Sequence, residues 1–169
     1  MLFQNGNSGV TPSLLFMIGF LISLSLGVVI YNCSGNSTID IHLHDTYIII
    51  ANFQIVWAFA IILGVYAALY HWFPKMFGRY LNNTMAHFHF WVTMIGAYLM
   101  FWPMHYQGLA GVPRRYLDYS NWESFNQFAE LNKFISTVAM VVFAVQLVFI
   151  FNFFYSIFKG RKVANNKNQ

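Results

Sequence analysis

Four groups of polar side chains stand out from an otherwise apolar sequence of 169 residues: His42-Leu43-His44-Asp45, Asn52-Phe53-Gln54, His87-Phe88-His89 and Pro113-Arg114-Arg115-Tyr116. Imidazole and carboxylate are the donor types that suit a divalent ion such as Mg²⁺, Mn²⁺ or Zn²⁺, so His42, His44 and Asp45 make a partial metal site. The same residues serve equally to solvate a loop and to cap the helix that follows, with Asp45 or Thr46 as N-cap. Arg114 and Arg115 carry guanidinium forks that hold carboxylates in bidentate fashion and stay charged at any working pH. Their partners are either bound anions or the nearby surface acids Asp118 and Glu123.

His87 and His89 are two residues apart on a predicted helix that turns about 100° per residue, so they face nearly opposite ways and cannot chelate one ion together. Each is free to hold a different partner. Neutral imidazole is a normal axial ligand of heme iron, but the preferred reading is a pair of hydrogen-bonded histidines at a helix end. The amides of Asn52 and Gln54 sit well inside an apolar run and need partners in another helix or in a water-filled cavity. Helix-to-helix hydrogen bonding is the default for such groups.

The elements that must position these groups follow from the composition. Of the residues, 58% are hydrophobic and 20% aromatic, whereas 8% are charged, about a third of the share usual in soluble domains. That excludes an ordinary water-soluble globular domain and predicts a single all-α membrane domain with four transmembrane helices, at about 13–31, 47–72, 84–104 and 134–158. Thr11-Pro12 supplies a cap and first-turn pair for the first helix. Met1 to Val10 has no basic residue and no small-x-small cleavage site follows, so this helix is expected to be retained and not removed as a signal peptide. Pro74 and Pro103 are expected to mark the ends of the second and third.

The apolar runs are continuous and do not alternate, which speaks against a β-barrel. The tail 159–169 opens with Lys159-Gly160-Arg161-Lys162, a basic stop that marks a cytoplasmic or matrix end. With four crossings both termini share that side, and Lys75 and Arg79 fall there too, in agreement with the positive-inside rule. Arg114 and Arg115 then lie outside. Ala164 to Gln169 is polar and is expected to be mobile. The formal charge of +4 comes from cations spread between apolar blocks, so nucleic acid is not an expected partner. Cys33 is the only cysteine, and an inert helix-end role is expected for it. Gly19, Gly27, Gly64 and Gly96 are candidates for close helix contacts.

Read in order, Ser37-Thr-Ile-Asp-Ile-His-Leu-His-Asp-Thr-Tyr47, His71-Trp-Phe-Pro74, Leu81-Asn-Asn-Thr84, His89-Phe90 and Pro103-Met-His-Tyr-Gln-Gly-Leu-Ala-Gly-Val-Pro-Arg-Arg-Tyr116 resemble subunit I of heme-copper cytochrome c oxidases. The resemblance runs from about Thr11 to Lys162 and corresponds to that family's last four helices. The ending Asn152-Phe-Phe-Tyr-Ser-Ile-Phe-Lys-Gly160 resembles bacterial members of the Bacteroidetes type. It implies that His44 and Asp45 match a Mg²⁺/Mn²⁺ site, which a partner subunit's carboxylate completes, and that Arg114 and Arg115 match the pair that neutralises heme propionates.

The family reads Ala-His-Phe-His where this chain has Ala51-Asn52-Phe53-Gln54, and those two histidines ligate the two hemes. Carboxamide oxygen is a poor substitute for imidazole on iron, so heme is not expected at Asn52 or Gln54. His89 matches a family histidine and His87 replaces what is usually a lysine, so heme at either would be a compensation. The family's copper ligands and proton channels lie in helices this sequence does not contain, so the chain is not expected to reduce oxygen alone. The resemblance implies a degenerate, noncatalytic structural or assembly subunit of a respiratory oxidase or supercomplex, with membrane subunits and lipids as partners. The alternative is the C-terminal part of a split oxidase subunit I that takes part in oxygen reduction with other chains. A third reading is a small metal-binding module that uses His42, His44 and Asp45 without heme. The expected location is the bacterial inner membrane, with the mitochondrial inner membrane as the alternative.

Overall fold

The computed structural model describes residues 10–115 and 123–163. The first helix, α1 (Pro12–Ser34), starts where Thr11 caps it: the side-chain oxygen accepts from Leu14 N at 3.4 Å, and Pro12 occupies the first turn, where no N–H is needed. A short helix α2 (Ser37–Leu43) follows in the segment that the sequence presents as a polar loop, capped by Asn36. Then α3 (Tyr47–Phe53), a π-helical segment (Gln54–Phe59) and α4 (Ala60–Phe77) form one continuous rod. Pro74 does not end this rod. It sits inside the last turn, and the helix stops instead at Gly78, whose φ of 63° takes the left-handed cap conformation.

A two-residue strand β1 (Arg79–Tyr80) leads to α5 (Asn83–Leu109), which Asn82 caps by accepting from the N–H groups of Thr84 and Met85. Pro103 lies within α5, which runs on for six residues beyond it and so outlasts the expected boundary. The short α6 (Glu123–Asn126) and the long α7 (Ala129–Lys159) complete the helices, and β2 (Arg161–Lys162) pairs antiparallel with β1. Tyr116, Asp118 and the tail Ala164 to Gln169, which carried sequence expectations, lie outside the described residues.

Three of the described helical stretches are long and apolar enough to cross a membrane: Pro12–Ser34, Tyr47–Phe77 and Glu123–Lys159. The 27-residue α5 has the length but interrupts its apolar surface with His87, His89, Thr93, His105 and Gln107. It packs between α7 and α3, and α1 lies along α4.

Close approach between helices uses glycine at three crossings. A Cβ on Gly27 would overlap Val56, one on Gly96 would overlap Val142, and one on Gly108 would overlap the backbone of Ile48. Gly19 and Gly64 meet Phe90 and Phe20 at ordinary or slightly tight distances. All four glycines singled out in the sequence therefore face helices of this same chain. The core is aromatic: Phe16 stacks on Tyr70 at 5.2 Å and meets Phe90 edge-on at 5.0 Å, while Tyr66 and Tyr70 both meet Phe149 edge-on. Such pairs add directional attraction to dispersion, which matters in lipid, where apolar burial alone gives little preference for helix over acyl chain.

Candidate functional site

At one end of the bundle, two loops are tied together. Thr46 forms an isolated antiparallel bridge with Pro113, Tyr47 N donates to Val112 O at 3.0 Å, and Arg114 N donates to Asp45 O at 2.9 Å. This backbone clasp places the Arg114 guanidinium on the Asp45 carboxylate: Nη2 and Nε donate to Oδ1 at 2.8 and 3.1 Å. His44 Nε2 lies 3.2 Å from Asp45 Oδ2. The Arg114 hydrogen bond, helped by charge from His44 and Arg115, outweighs partial desolvation and holds the Asp45 carboxyl below its ordinary value of 3.8. It stays ionised at working pH.

The clasp thus assembles three of the sequence-selected residues, His44, Asp45 and Arg114. His42 lies exposed in the last turn of α2, and among the described residues no group of three His, Cys, Asp or Glu side chains is placed to hold a metal ion. Asp45 and His44 offer the oxygen and nitrogen donors a hard or borderline divalent ion takes, but each Asp45 oxygen is already engaged. Arg115 is exposed at a φ of 71°, an uncommon conformation for a side-chain-bearing residue and a mark of a constrained turn. Thr46, one of the two candidate caps, holds the N-cap position of α3 without a side-chain cap bond, because its hydroxyl donates to Leu43 O at 2.9 Å.

One turn into the second rod, Asn52 is buried. Its Oδ1 lies 2.9 Å from His105 Nε2, and its Nδ2 donates to Ser34 Oγ at 3.4 Å, so the amide links α1, α3 and α5. The other ring nitrogen of His105 is 2.8 Å from Phe101 O. Gln54 is half-buried and opens the π-helical segment, its N–H shared between the carbonyls of Ala51 and Ile50. Such a bulge re-aims every side chain beyond it and is frequent at functional positions.

His87 and His89 diverge as the helical geometry requires. His87 is held between backbone carbonyls, Nδ1 on Asn83 O at 2.8 Å and Nε2 on Val10 O at 3.2 Å. His89 is fully buried, with Nδ1 on Tyr70 Oη at 3.2 Å and Nε2 on Gln146 Oε1 at 3.0 Å. Tyr66 donates to the same Gln146 oxygen at 2.7 Å, and Gln146 Nε2 donates to Thr93 Oγ1 and Val142 O. Both ring nitrogens of His89 therefore have protein partners, whereas the single N–H of a neutral His87 can donate to only one of its two carbonyls.

The fit to heme can be judged from these contacts. Iron takes an imidazole nitrogen with a free lone pair, whereas the rod presents amides at 52 and 54, and Asn52 is fastened to His105. These residues do not fit a heme ligand set. Sequence reasoning had not singled out His105 or Gln146 as partners. His105 lay inside a motif valued for its arginines, and Gln146 was a lone amide in a long apolar run, its partners on α4 and α5 being 80 and 53 positions away.

Comparison with known proteins agrees with the motif reading at the level of family. Residues 1–141 match the family model described as cytochrome C and quinol oxidase polypeptide I. The chain is 43% identical over 163 residues to the alternative cytochrome c oxidase subunit 1 of Bradyrhizobium diazoefficiens, covering 96% of this chain and 28% of that protein. It is 37% identical over 161 residues to cytochrome c oxidase subunit 1 of Synechocystis, covering 95% of this chain and 28% of the relative. With the subunit 1 of Yarrowia lipolytica it shares 36% over 139 residues, 82% of this chain and 26% of the relative. The chain thus spans little more than a quarter of the length of these curated relatives. A multi-pass helical membrane chain with these motifs, matched over most of its length, belongs to the cytochrome c and quinol oxidase polypeptide I family.

Proposed function

We propose that this chain is a noncatalytic, structural or assembly subunit of a respiratory oxidase or supercomplex in a bacterial inner membrane. The observation that carries the proposal is the contact of the buried Asn52 with His105, Oδ1 to Nε2 at 2.9 Å, at the place where the family resemblance calls for heme-ligating imidazole. A carboxamide engaged by a neighbouring ring is an interhelical clamp, and iron has no good ligand there. Support comes also from the buried His89, whose two ring nitrogens are engaged by Tyr70 and Gln146 within the chain. In this reading α5 is a fourth span, its buried polar residues and His105 turned to α3, α4 and α7, and the basic end of the bundle faces the cytoplasm.

The exposed apolar side chains of α7, among them Phe143, Leu147, Phe151 and Phe154, would face lipid or neighbouring subunits. The clasp at Asp45, with His44, would provide part of a Mg²⁺ or Mn²⁺ site once a partner carboxylate is added. Arg114 or Arg115 would meet an anion of that partner or of a heme it carries. Purification of the tagged protein in mild detergent, with mass-spectrometric identification of its companions, tests the assignment. Oxidase subunits are expected among those companions in fixed ratio, together with a second chain that carries the full set of heme ligands. Companions that supply only the missing helices of one subunit I would overturn it in favour of a split enzyme.

A further inference from the structure

The end of the bundle opposite Asp45 is basic, and none of its cations has an acidic partner among the described residues. Lys75 lies in the last turn of α4, Arg79 opens β1, Lys159 closes α7, and Arg161 and Lys162 make β2. Residues 71–84 and 146–169 contain no aspartate or glutamate. The cations are held in place by a fixed structure: Arg79 pairs opposite Lys162 and Tyr80 opposite Arg161, and Val163 N donates to Gly78 O at 2.9 Å. Arg79 itself is absorbed, since Nη1 donates to Phe158 O and Gly160 O at 2.7 and 3.2 Å, the C-terminal carbonyls of α7 that favour a cation.

Lys159, Arg161 and Lys162 remain exposed. Arg161 and Lys162 are neighbours on β2 and Lys159 lies two residues before them, so three like charges stand close together with no ion pair among the described residues to offset them. Immediately above, α7 carries a shallow groove of about 240 Å³ lined by Phe151, Phe154, Tyr155, Phe158 and Lys159. Their spacing of three and four residues puts them on one stripe of a membrane-spanning helix.

We propose that this groove and the strand pair bind one anionic phospholipid, the acyl chain along Phe151, Phe154 and Phe158 and the phosphate against Lys159, Arg161 and Lys162. Apolar length ending in uncompensated positive charge is the complement of such a lipid, and juxtamembrane cations strengthen anionic lipid binding. The inference goes beyond the subunit assignment and holds for a catalytic or a noncatalytic chain.

The test is native mass spectrometry of the purified protein in mild detergent with phosphatidylglycerol and phosphatidylcholine of identical chains at equal concentration. Phosphatidylglycerol is expected to be retained preferentially, and K159Q/R161Q/K162Q is expected to lower its retention on the order of tenfold or more while leaving phosphatidylcholine unchanged. Lys159→Gln alone, on an exposed terminal turn, repeats the test at smaller amplitude should the triple variant lose helix content. Inorganic phosphate at the same concentration is expected not to displace the lipid. Equal retention of the two lipids, undiminished retention in the variants, displacement by phosphate, or loss of an acidic companion subunit with no change in lipid would each overturn the proposal.

Discussion

At the scale of single residues, the account turns on which polar groups are already satisfied. The buried Asn52 links His105 and Ser34 across three helices, and removing it leaves the half-buried ring of His105 without that polar partner. Asn52→Leu, close in volume, is expected to lower stability by about 1–3 kcal/mol, the usual cost of a stranded buried group. A shift of the unfolding midpoint in detergent checks this, and heme content of the complex should not move. The opposite pairing of His87 with backbone carbonyls and of His89 with Tyr70 and Gln146 was legible in the two-residue spacing, because a helix sends such neighbours to different faces. The partner of Arg114 was not legible. Sequence proximity offered Asp118 and Glu123, whereas the backbone clasp brings up Asp45 from 69 positions away.

At the scale of elements, the long apolar runs announced the helices, and their polar interruptions announced where helices meet. Boundaries were read less well at the prolines. Pro74 and Pro103 each sit inside a helix, where the missing N–H is tolerated because neighbouring packing holds the turn. The two-residue ladder of Arg79–Tyr80 with Arg161–Lys162 left no sequence signal, since short segments so far apart in the chain show neither alternation nor a turn. Glycine at the crossings gives a contrast to measure. Gly108→Ala would drive a methyl into the Ile48 backbone beside the clasp and is expected to cost about 1–3 kcal/mol or more. Gly64→Ala meets only the Phe20 ring at 3.5 Å and is expected to stay within about 0.5 kcal/mol of the parent. Equal unfolding midpoints for the two variants would show that the α3–α5 crossing is looser than described.

At the scale of the whole molecule, the charges are sorted to the two ends: the Asp45 clasp at one, the uncompensated cations at the other. The proposed orientation puts the cations in the cytoplasm, and Cys33, the only cysteine in the sequence and exposed near the end of α1, on the far side. A membrane-impermeant maleimide added to intact spheroplasts is therefore expected to label the native chain and not Cys33→Ser. Labelling that requires lysis would reverse the orientation.

The central claim is that this member of the family supplies no heme-iron ligand. The most direct measurement is the pyridine-hemochrome content, per copy of the chain, of the complex purified with the native protein and with His87→Ala, His89→Ala and His105→Ala. The same heme content is expected in all four, with companions unchanged. Loss of one heme per chain in any variant that still retains its companions would contradict it and make this chain part of a catalytic center.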